Sequence, residues 1–148
     1  MKSTKIVIGV LCSLFSTIAL AGPYTDQLSS CFADSTSGKD RKQFAKLMFV
    51  AMAEHPEMRS FAPISQKVKG EASQSAGLLI TRLLTESCAA QARAAVQNEG
   101  SASFQGAFGI LGQLAMQELL SAQEVNAALG SFEMYIDRAK VQSALAPK

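Results

Sequence analysis

The chain has few of the side chains on which most catalytic and metal sites depend. It contains one histidine, His55, three cysteines and no tryptophan in 148 residues. Zinc and haem sites that use several His or Cys ligands are therefore excluded by counting. A Ser or Cys nucleophile of the usual triad type would need His55 as its base, but His55 precedes Pro56 and the chain has no nucleophile-elbow motif. We expect no metal and no cofactor.

Other residues with catalytic potential are present, but in contexts that favour a structural role. Five glutamates could form the paired carboxylates of a glycosidase, yet each is typical of a helix surface. They are Glu54, Glu57, Glu71, Glu86 and Glu118. Glycines 106, 109 and 112 recur every three residues, but no strand precedes them and no Lys-Ser or Lys-Thr pair follows, as a phosphate loop requires. We predict that the protein is not an enzyme.

The start of the chain has the pattern of a secretory signal peptide. A positive n-region, an apolar h-region of about 15 residues and small residues at a cleavage site follow one another. They are Lys2 and Lys5, residues 6 to 20, and Ala19-Leu20-Ala21. We predict that residues 1 to 21 are removed before Gly22, and that the protein is periplasmic or secreted. A retained membrane anchor is the alternative, but the apolar run is shorter than the roughly 20 residues that a span needs.

Loss of the signal peptide changes the charge of the chain. The formal charge of +2 falls to zero, because Lys2 and Lys5 are lost and no acid is. A neutral chain without basic and aromatic residues interleaved lacks the features of a nucleic-acid-binding protein. Residues 22 to 148 have the length of one ordinary domain and contain no run with the apolar character of a membrane span.

The predicted mature chain keeps two cysteines, Cys31 and Cys88, because Cys12 leaves with the signal peptide. An even number of cysteines in an exported chain indicates one disulfide. The alternatives are a pair of buried free thiols and a metal site, but a metal site would need further Cys or His ligands that the chain lacks. The disulfide would close a loop of about sixty residues, for which chain entropy gives roughly 4 kcal/mol of stabilisation.

The spacing of apolar residues predicts an all-α fold, a compact bundle of about five helices. The central one is 104 to 120, whose polar positions Gln105, Gln113 and Gln117 form one narrow stripe with Gly109. Its glycines, Gly109 in particular, would let a neighbouring helix approach closely. We also predict a short helix that carries Cys31 and a second helix that runs from a Ser37/Asp40 capping box to His55-Pro56. A further helix is predicted over 65 to 97, with a bend at Gly70. The last helix begins at a Ser121/Glu124 capping box, and its coiled-coil-like seam consists of Val125, Leu129, Phe132, Ile136 and Ala139.

The second helix and the connector after it hold the candidate functional residues. Phe49 and Val50 lie off the main apolar stripe of that helix, so it is buried on several sides or exposes an apolar edge. Its early lysines, with Arg41, form either a solvated face or a patch for an anionic partner. The connector over 56 to 64 contains apolar residues that either cover the core as a lid or contact a partner. The residues that we expect at a partner-binding site are His55, Met58, Arg59 and Phe61.

The run KLMFVAMAEHPEM at 46 to 58, with Cys31 before it and FGILGQLAMQ after it, resembles a family of small exported helical proteins of gram-negative bacteria. The resemblance implies export and a helical fold. Because that family has no established biochemical role, it implies no catalytic or ligand-binding residue.

Two functions fit an exported helical domain without catalytic residues. The first is binding to another envelope or exported protein, as an inhibitor, an immunity protein or an accessory factor of envelope assembly. The second is transport of a small apolar ligand or lipid between helices, where methionines would give an adaptable lining. An affinity purification that recovers a partner protein, or a lipid that co-purifies, would separate them.

Overall fold

The computed structural model describes residues 22 to 147, and this part of the chain contains seven α-helices and no strand. The helices are α1 (Pro23–Asp34), α2 (Gly38–Ala53), α3 (Gln66–Arg82), α4 (Ala89–Glu99), α5 (Ala102–Leu120), α6 (Gln123–Gly130) and α7 (Arg138–Leu145). A π-helical turn, Leu83–Ser87, joins α3 to α4, and a 3₁₀-helix, Ser131–Tyr135, follows α6. The all-α prediction is confirmed. The predicted signal peptide lies outside the described residues.

The number of helices exceeds the predicted five because two of the predicted helices are broken. The helix predicted over 65 to 97 is interrupted at the π-helical turn and at Cys88, which leaves helical geometry with φ −124° and ψ 25°. Gly70, where we expected the bend, lies exposed within α3. A π-helical turn is a common cause of a sharp change in helix direction. The break separates α4 from α3 and leaves Cys88 at the junction.

The disulfide between Cys31 and Cys88 is confirmed, with the two Cα atoms 5.9 Å apart. It joins α1 to the turn before α4. The core lies beside it, and its largest fully buried side chains are Phe32, Leu28, Leu83, Leu111 and Cys88. Phe32 of α1 also contacts Phe108 of α5, with ring centroids 5.4 Å apart. The disulfide therefore links α1 to the start of α4, and the aromatic pair packs α1 against α5.

Helix α5 is the centre of the bundle and contacts α1, α2, α4 and α6. Its buried residues recur every four positions, which places them on one face. They are Ser103, Ala107, Leu111 and Ala115. The predicted polar stripe, from Gln105 through Gly109 and Gln113 to Gln117, is exposed on the opposite side. The sequence therefore identified the central helix and its polar stripe, and the structure shows that this stripe is the face exposed to water.

The close approach to α5 occurs at Gly106, and the prediction that placed it at Gly109 is wrong. A Cβ atom at Gly106 would lie 2.5 Å from Cγ2 of Thr25, on α1, whereas a Cβ at Gly109 would meet nothing within 4 Å. Gly112 is intermediate, because a Cβ there would be 3.8 Å from the Met48 side chain. Gly109 lies on the exposed stripe, so only helix propensity is affected by its missing side chain.

The first turn of α1 is capped by a residue that the sequence analysis did not single out, Glu99 at the end of α4. Its carboxylate accepts hydrogen bonds from the amides of Tyr24 and Thr25, at 2.9 and 2.8 Å, and from the Thr25 hydroxyl at 2.6 Å. Gly22 precedes the helix, and a side chain there would overlap this carboxylate. Signal-peptide cleavage before Gly22 would place the new α-ammonium group beside Glu99.

The two predicted capping boxes have different outcomes. At α2 both hydrogen bonds of the box between Ser37 and Asp40 are present, so that prediction is confirmed. The box predicted at Ser121 and Glu124 is wrong, because the Ser121 hydroxyl donates to the Glu118 carbonyl at 2.7 Å. Helix α6 starts after Ala122 without a side-chain cap. Ser121 belongs to the last turn of α5 and is therefore unable to cap the next helix.

The predicted seam of the last helix is not buried against the bundle, although α6 contacts α5. The segment divides into α6, the 3₁₀-helix and α7, and no residue from 123 to 147 is buried. Periodic apolar spacing shows that a helix has an apolar face, but not what covers that face.

Gly106 and Gly109 form a matched pair of test positions. We expect Gly106→Leu to lower the free energy of unfolding by about 1 to 3 kcal/mol or more, because the new side chain meets Thr25, whose hydroxyl is fixed by Glu99. At position 109 a leucine side chain would enter open space. We expect Gly109→Leu to raise the free energy of unfolding by roughly 0.5 to 1 kcal/mol, because leucine has a higher helix propensity than glycine. Urea unfolding of both variants measures the difference. Equal losses would contradict this placement of the helix crossing.

Glu99 also predicts a pH dependence of stability. The hydrogen bond from the Thr25 hydroxyl, together with those from the two amides, outweighs desolvation and holds the pKa of Glu99 below its usual value of 4.5. A carboxylate with a depressed pKa in the folded state stabilises the protein above pH 4.5, and this contribution is lost as the pH falls through the lower folded pKa. We expect wild type to lose stability more steeply than Glu99→Gln in that acidic range. The exposed Glu124→Gln variant is the control, and parallel profiles for wild type and Glu99→Gln would refute the capping role.

Candidate binding surfaces

Helices α2 and α3 run antiparallel, and an ion pair joins them near each end. Asp40 at the start of α2 pairs with Arg82 at the end of α3, at 3.3 Å, and Glu54 after α2 pairs with Lys69 near the start of α3. Burial of Asp40 raises its pKa, but hydrogen bonds from Ser37 and the charge of Arg82 outweigh this effect and the pKa is lowered. The Lys69 hydrogen bond is the main cause that lowers the pKa of Glu54. Both carboxylates are therefore held in the charged form that these ion pairs need.

An apolar groove of about 740 Å³ lies between α2 and α3. Its buried base is made of Ala45, Val50 and Ala72, and its more exposed apolar lining is made of Phe49, Ile64, Val68 and Leu119. Gln43, Lys46, Glu71 and Ser75 are the polar residues of the lining. This volume is within the range of small-molecule sites, and such sites are mostly apolar with a few polar groups.

The groove settles the alternatives that the sequence left open for Phe49 and Val50. Val50 is buried at the base, while Phe49 is 53% exposed. Both alternatives therefore hold in part: α2 is buried on a second side at Val50, and it exposes an apolar edge at Phe49. The sequence indicated this edge, because both residues lie off the main apolar stripe of α2. Periodicity alone could not show that α3 forms the opposite wall of the groove.

The basic residues of α2 separate into two groups. Arg41 has a structural role, because it donates a hydrogen bond to the Ala33 carbonyl at 3.0 Å and so ties α2 to α1. Lys39, Lys42 and Lys46 line, with Gln43, a cleft of about 360 Å³ that shares Gln43 and Lys46 with the groove. Lys42 pairs with Glu118 at 3.3 Å, but neither Lys39 nor Lys46 forms an ion pair within the described part of the chain. Two cationic side chains thus remain available beside the groove.

The four predicted partner-binding residues lie in one exposed run of turns after α2. His55 accepts a hydrogen bond from the Glu57 amide at Nδ1, and Arg59 donates to the Glu54 carbonyl at 3.1 Å. Phe61 is 83% exposed and Met58 is also exposed, so the lid alternative is wrong for both. Ile64 does turn back and lines the groove. The structure places the four residues together at the surface and assigns them no chemistry.

The C-terminal segment, residues 123 to 147, is the most apolar exposed part of the described chain. Helix α6 contacts α5, but seven large apolar side chains on α6 and on the residues after it are exposed to solvent. They are Leu129, Phe132, Met134, Tyr135, Ile136, Val141 and Leu145. Monomeric proteins rarely leave so many apolar side chains together at the surface unless the surface binds something.

The described residues provide no cluster of three or more His, Cys, Asp or Glu side chains able to hold a metal ion. Between residues 22 and 147, no helix combines the length and the apolar character that crossing a membrane requires.

The chain matches no protein-family model, no curated protein and no solved structure. The resemblance to small exported helical proteins therefore stays a prediction.

Proposed function

We propose that this is a non-enzymatic, exported protein that binds another exported protein through its C-terminal segment. The observation that carries the proposal is that residues 123 to 147 contain seven exposed large apolar side chains and no buried residue. Full burial of one such side chain contributes about 1.5 to 3 kcal/mol, so a partner that covers only a few of them gains substantial affinity. The signal peptide predicted at residues 1 to 21 supports export to the periplasm or beyond.

The spacing of the apolar residues indicates the shape of the partner. Val125 and Leu129 lie on α6, and Phe132 lies on the 3₁₀-helix that follows it. The three residues follow one another at four and three positions, a spacing that resembles the anchors with which a helix enters a groove. The charged residues of the segment are few and of both signs: Glu124, Glu133, Asp137, Arg138 and Lys140. The partner we propose is a protein with an apolar groove. This chain would act on that partner as an inhibitor or immunity protein, or as an accessory factor of envelope assembly.

The predicted residues His55, Met58, Arg59 and Phe61 are the second candidate contact. Among residues 22 to 122, Phe61 is the most exposed large apolar side chain. Because it lies in turns rather than on a helix, its contribution is separable from that of the segment by substitution.

A second candidate function is transport of a small apolar ligand. The groove between α2 and α3 favours it, because its lining is mainly apolar and its volume of about 740 Å³ is sufficient for such a ligand.

We expect affinity purification from periplasmic extract of the producing bacterium to recover a stoichiometric partner protein with the wild-type chain. Phe132→Ser should lose that partner, because Phe132 is 61% exposed and contributes to the anchor face. Leu78→Ser is the matched control, since Leu78 on α3 is 67% exposed and lies outside the segment, the groove and the connector. Phe61→Ser tests the connector.

Repeated recovery of the wild-type chain alone would contradict the proposed function. Loss of the partner in Leu78→Ser to the same extent as in Phe132→Ser would show that the C-terminal segment is not the contact.

A further inference from the structure

The polar and apolar residues of the groove are arranged along its length. Gln43 and Lys46 precede Phe49 and Val50 on α2, and the antiparallel α3 places Ser75 nearer the start of α2 than Val68. Ile64, from the connector, lies at the apolar end. Glu71, on α3 between Val68 and Ala72, also lies towards this end, where it pairs with Lys67. Apart from this ion pair, the polar lining residues lie at the other end of the groove, beside Lys46.

The polar end continues into the lysine-lined cleft. Lys39, Lys42 and Lys46 are spaced by three and four residues, which places them on one face of α2, where like charges destabilise each other. Glu118 pairs with Lys42, and the charge of Lys39 helps to lower the pKa of Asp40, but neither Lys39 nor Lys46 forms an ion pair among residues 22 to 147. An anion bound there would relieve this repulsion.

An apolar groove joined to a cationic cleft matches an anionic amphiphile. We infer that the groove binds a fatty acid, with its acyl chain against Phe49, Val50 and Val68 and its carboxylate at Lys46 and Lys39. This inference rests on the carrier function proposed above and identifies its ligand and binding site. The helical rise from Lys39 to Val50 is about 16 Å, the length of a chain of about twelve carbons.

The charges at the groove favour an anion over a cation. Glu71 is the one acid of the lining, and it already pairs with Lys67 at 3.9 Å. Lys46 has no such partner in the described chain. A cationic amphiphile of the same chain length would face these lysines and should bind weakly.

The test uses the mature chain from Gly22 with its disulfide intact, freed of bound lipid and titrated calorimetrically with dodecanoate. Dodecyltrimethylammonium, which has a similar chain and the opposite charge, is the second probe. We expect dodecanoate to bind one to one, and more tightly than dodecyltrimethylammonium by about tenfold or more, because the two head groups interact with Lys39 and Lys46 with opposite sign.

Two substitutions separate the head-group site from the chain site. Lys46→Glu should weaken dodecanoate binding by about three- to tenfold, and Phe49→Ser, which removes apolar surface without adding a charge, should weaken the binding of both probes. Both residues are exposed, so the variants should keep the wild-type melting temperature. Arg93→Glu on α4 is the matched charge control and should leave binding unchanged, because Arg93 is exposed and lies outside both the groove and the C-terminal segment.

Each other outcome overturns the inference in a distinguishable way. Equal binding of both probes, unaffected by Lys46→Glu, would leave the carrier function standing and remove the anionic head group. Binding that Phe49→Ser does not weaken would place the ligand elsewhere. Absence of binding to the wild-type chain would refute the carrier function as well. One further outcome would also overturn the inference. If the wild-type chain is a dimer that does not bind dodecanoate, and deletion of residues 123 to 148 restores binding, the groove is occupied by a second copy of the chain.

Discussion

The contact between Glu99, Thr25 and Gly106 is the constraint on which the rest of the bundle depends. The Glu99 carboxylate, at the end of α4, holds the amide and hydroxyl of Thr25, and the Thr25 methyl group fills the space left by the missing side chain of Gly106. Three helices therefore meet at one point. The Cys31–Cys88 disulfide joins α1 to the opposite end of α4. Fixed at both ends, α1 and α4 form the frame against which α5 packs.

The surfaces proposed for binding are the parts that this frame does not cover. Helix α3 packs against α2, and the contact face of α3 includes the small residues Ala72 and Ala76. Because short side chains fill little space, an apolar groove remains beside Val50. The C-terminal segment leaves the bundle after α5, and the core, already closed by α1, α2, α4 and α5, offers it no place to pack.

Local patterns predicted the features that depend on neighbouring residues in the sequence. The all-α class, the Ser37/Asp40 capping box and the polar stripe of α5 follow from local spacing and residue chemistry. The disulfide joins residues 57 positions apart, and it could be predicted because the mature chain was expected to keep only two cysteines. The Glu99 cap could not be predicted, because its acceptor and donors are 75 and 74 residues apart. The choice between Gly106 and Gly109 depends on which face of α5 meets α1. The groove could not be predicted for the same reason, because its two walls come from different helices.

The central claim is that residues 123 to 147 form a surface available to a partner and not a part of the core. Hydrogen–deuterium exchange of the mature, disulfide-bonded chain tests it most directly, because amides exchange slowly only where the hydrogen-bonded structure opens rarely. We expect amides of α6 and α7 to exchange much faster than those around Leu111 on the buried face of α5. Protection of α6 and α7 equal to that of α5 would show that the segment is packed, and would contradict the account.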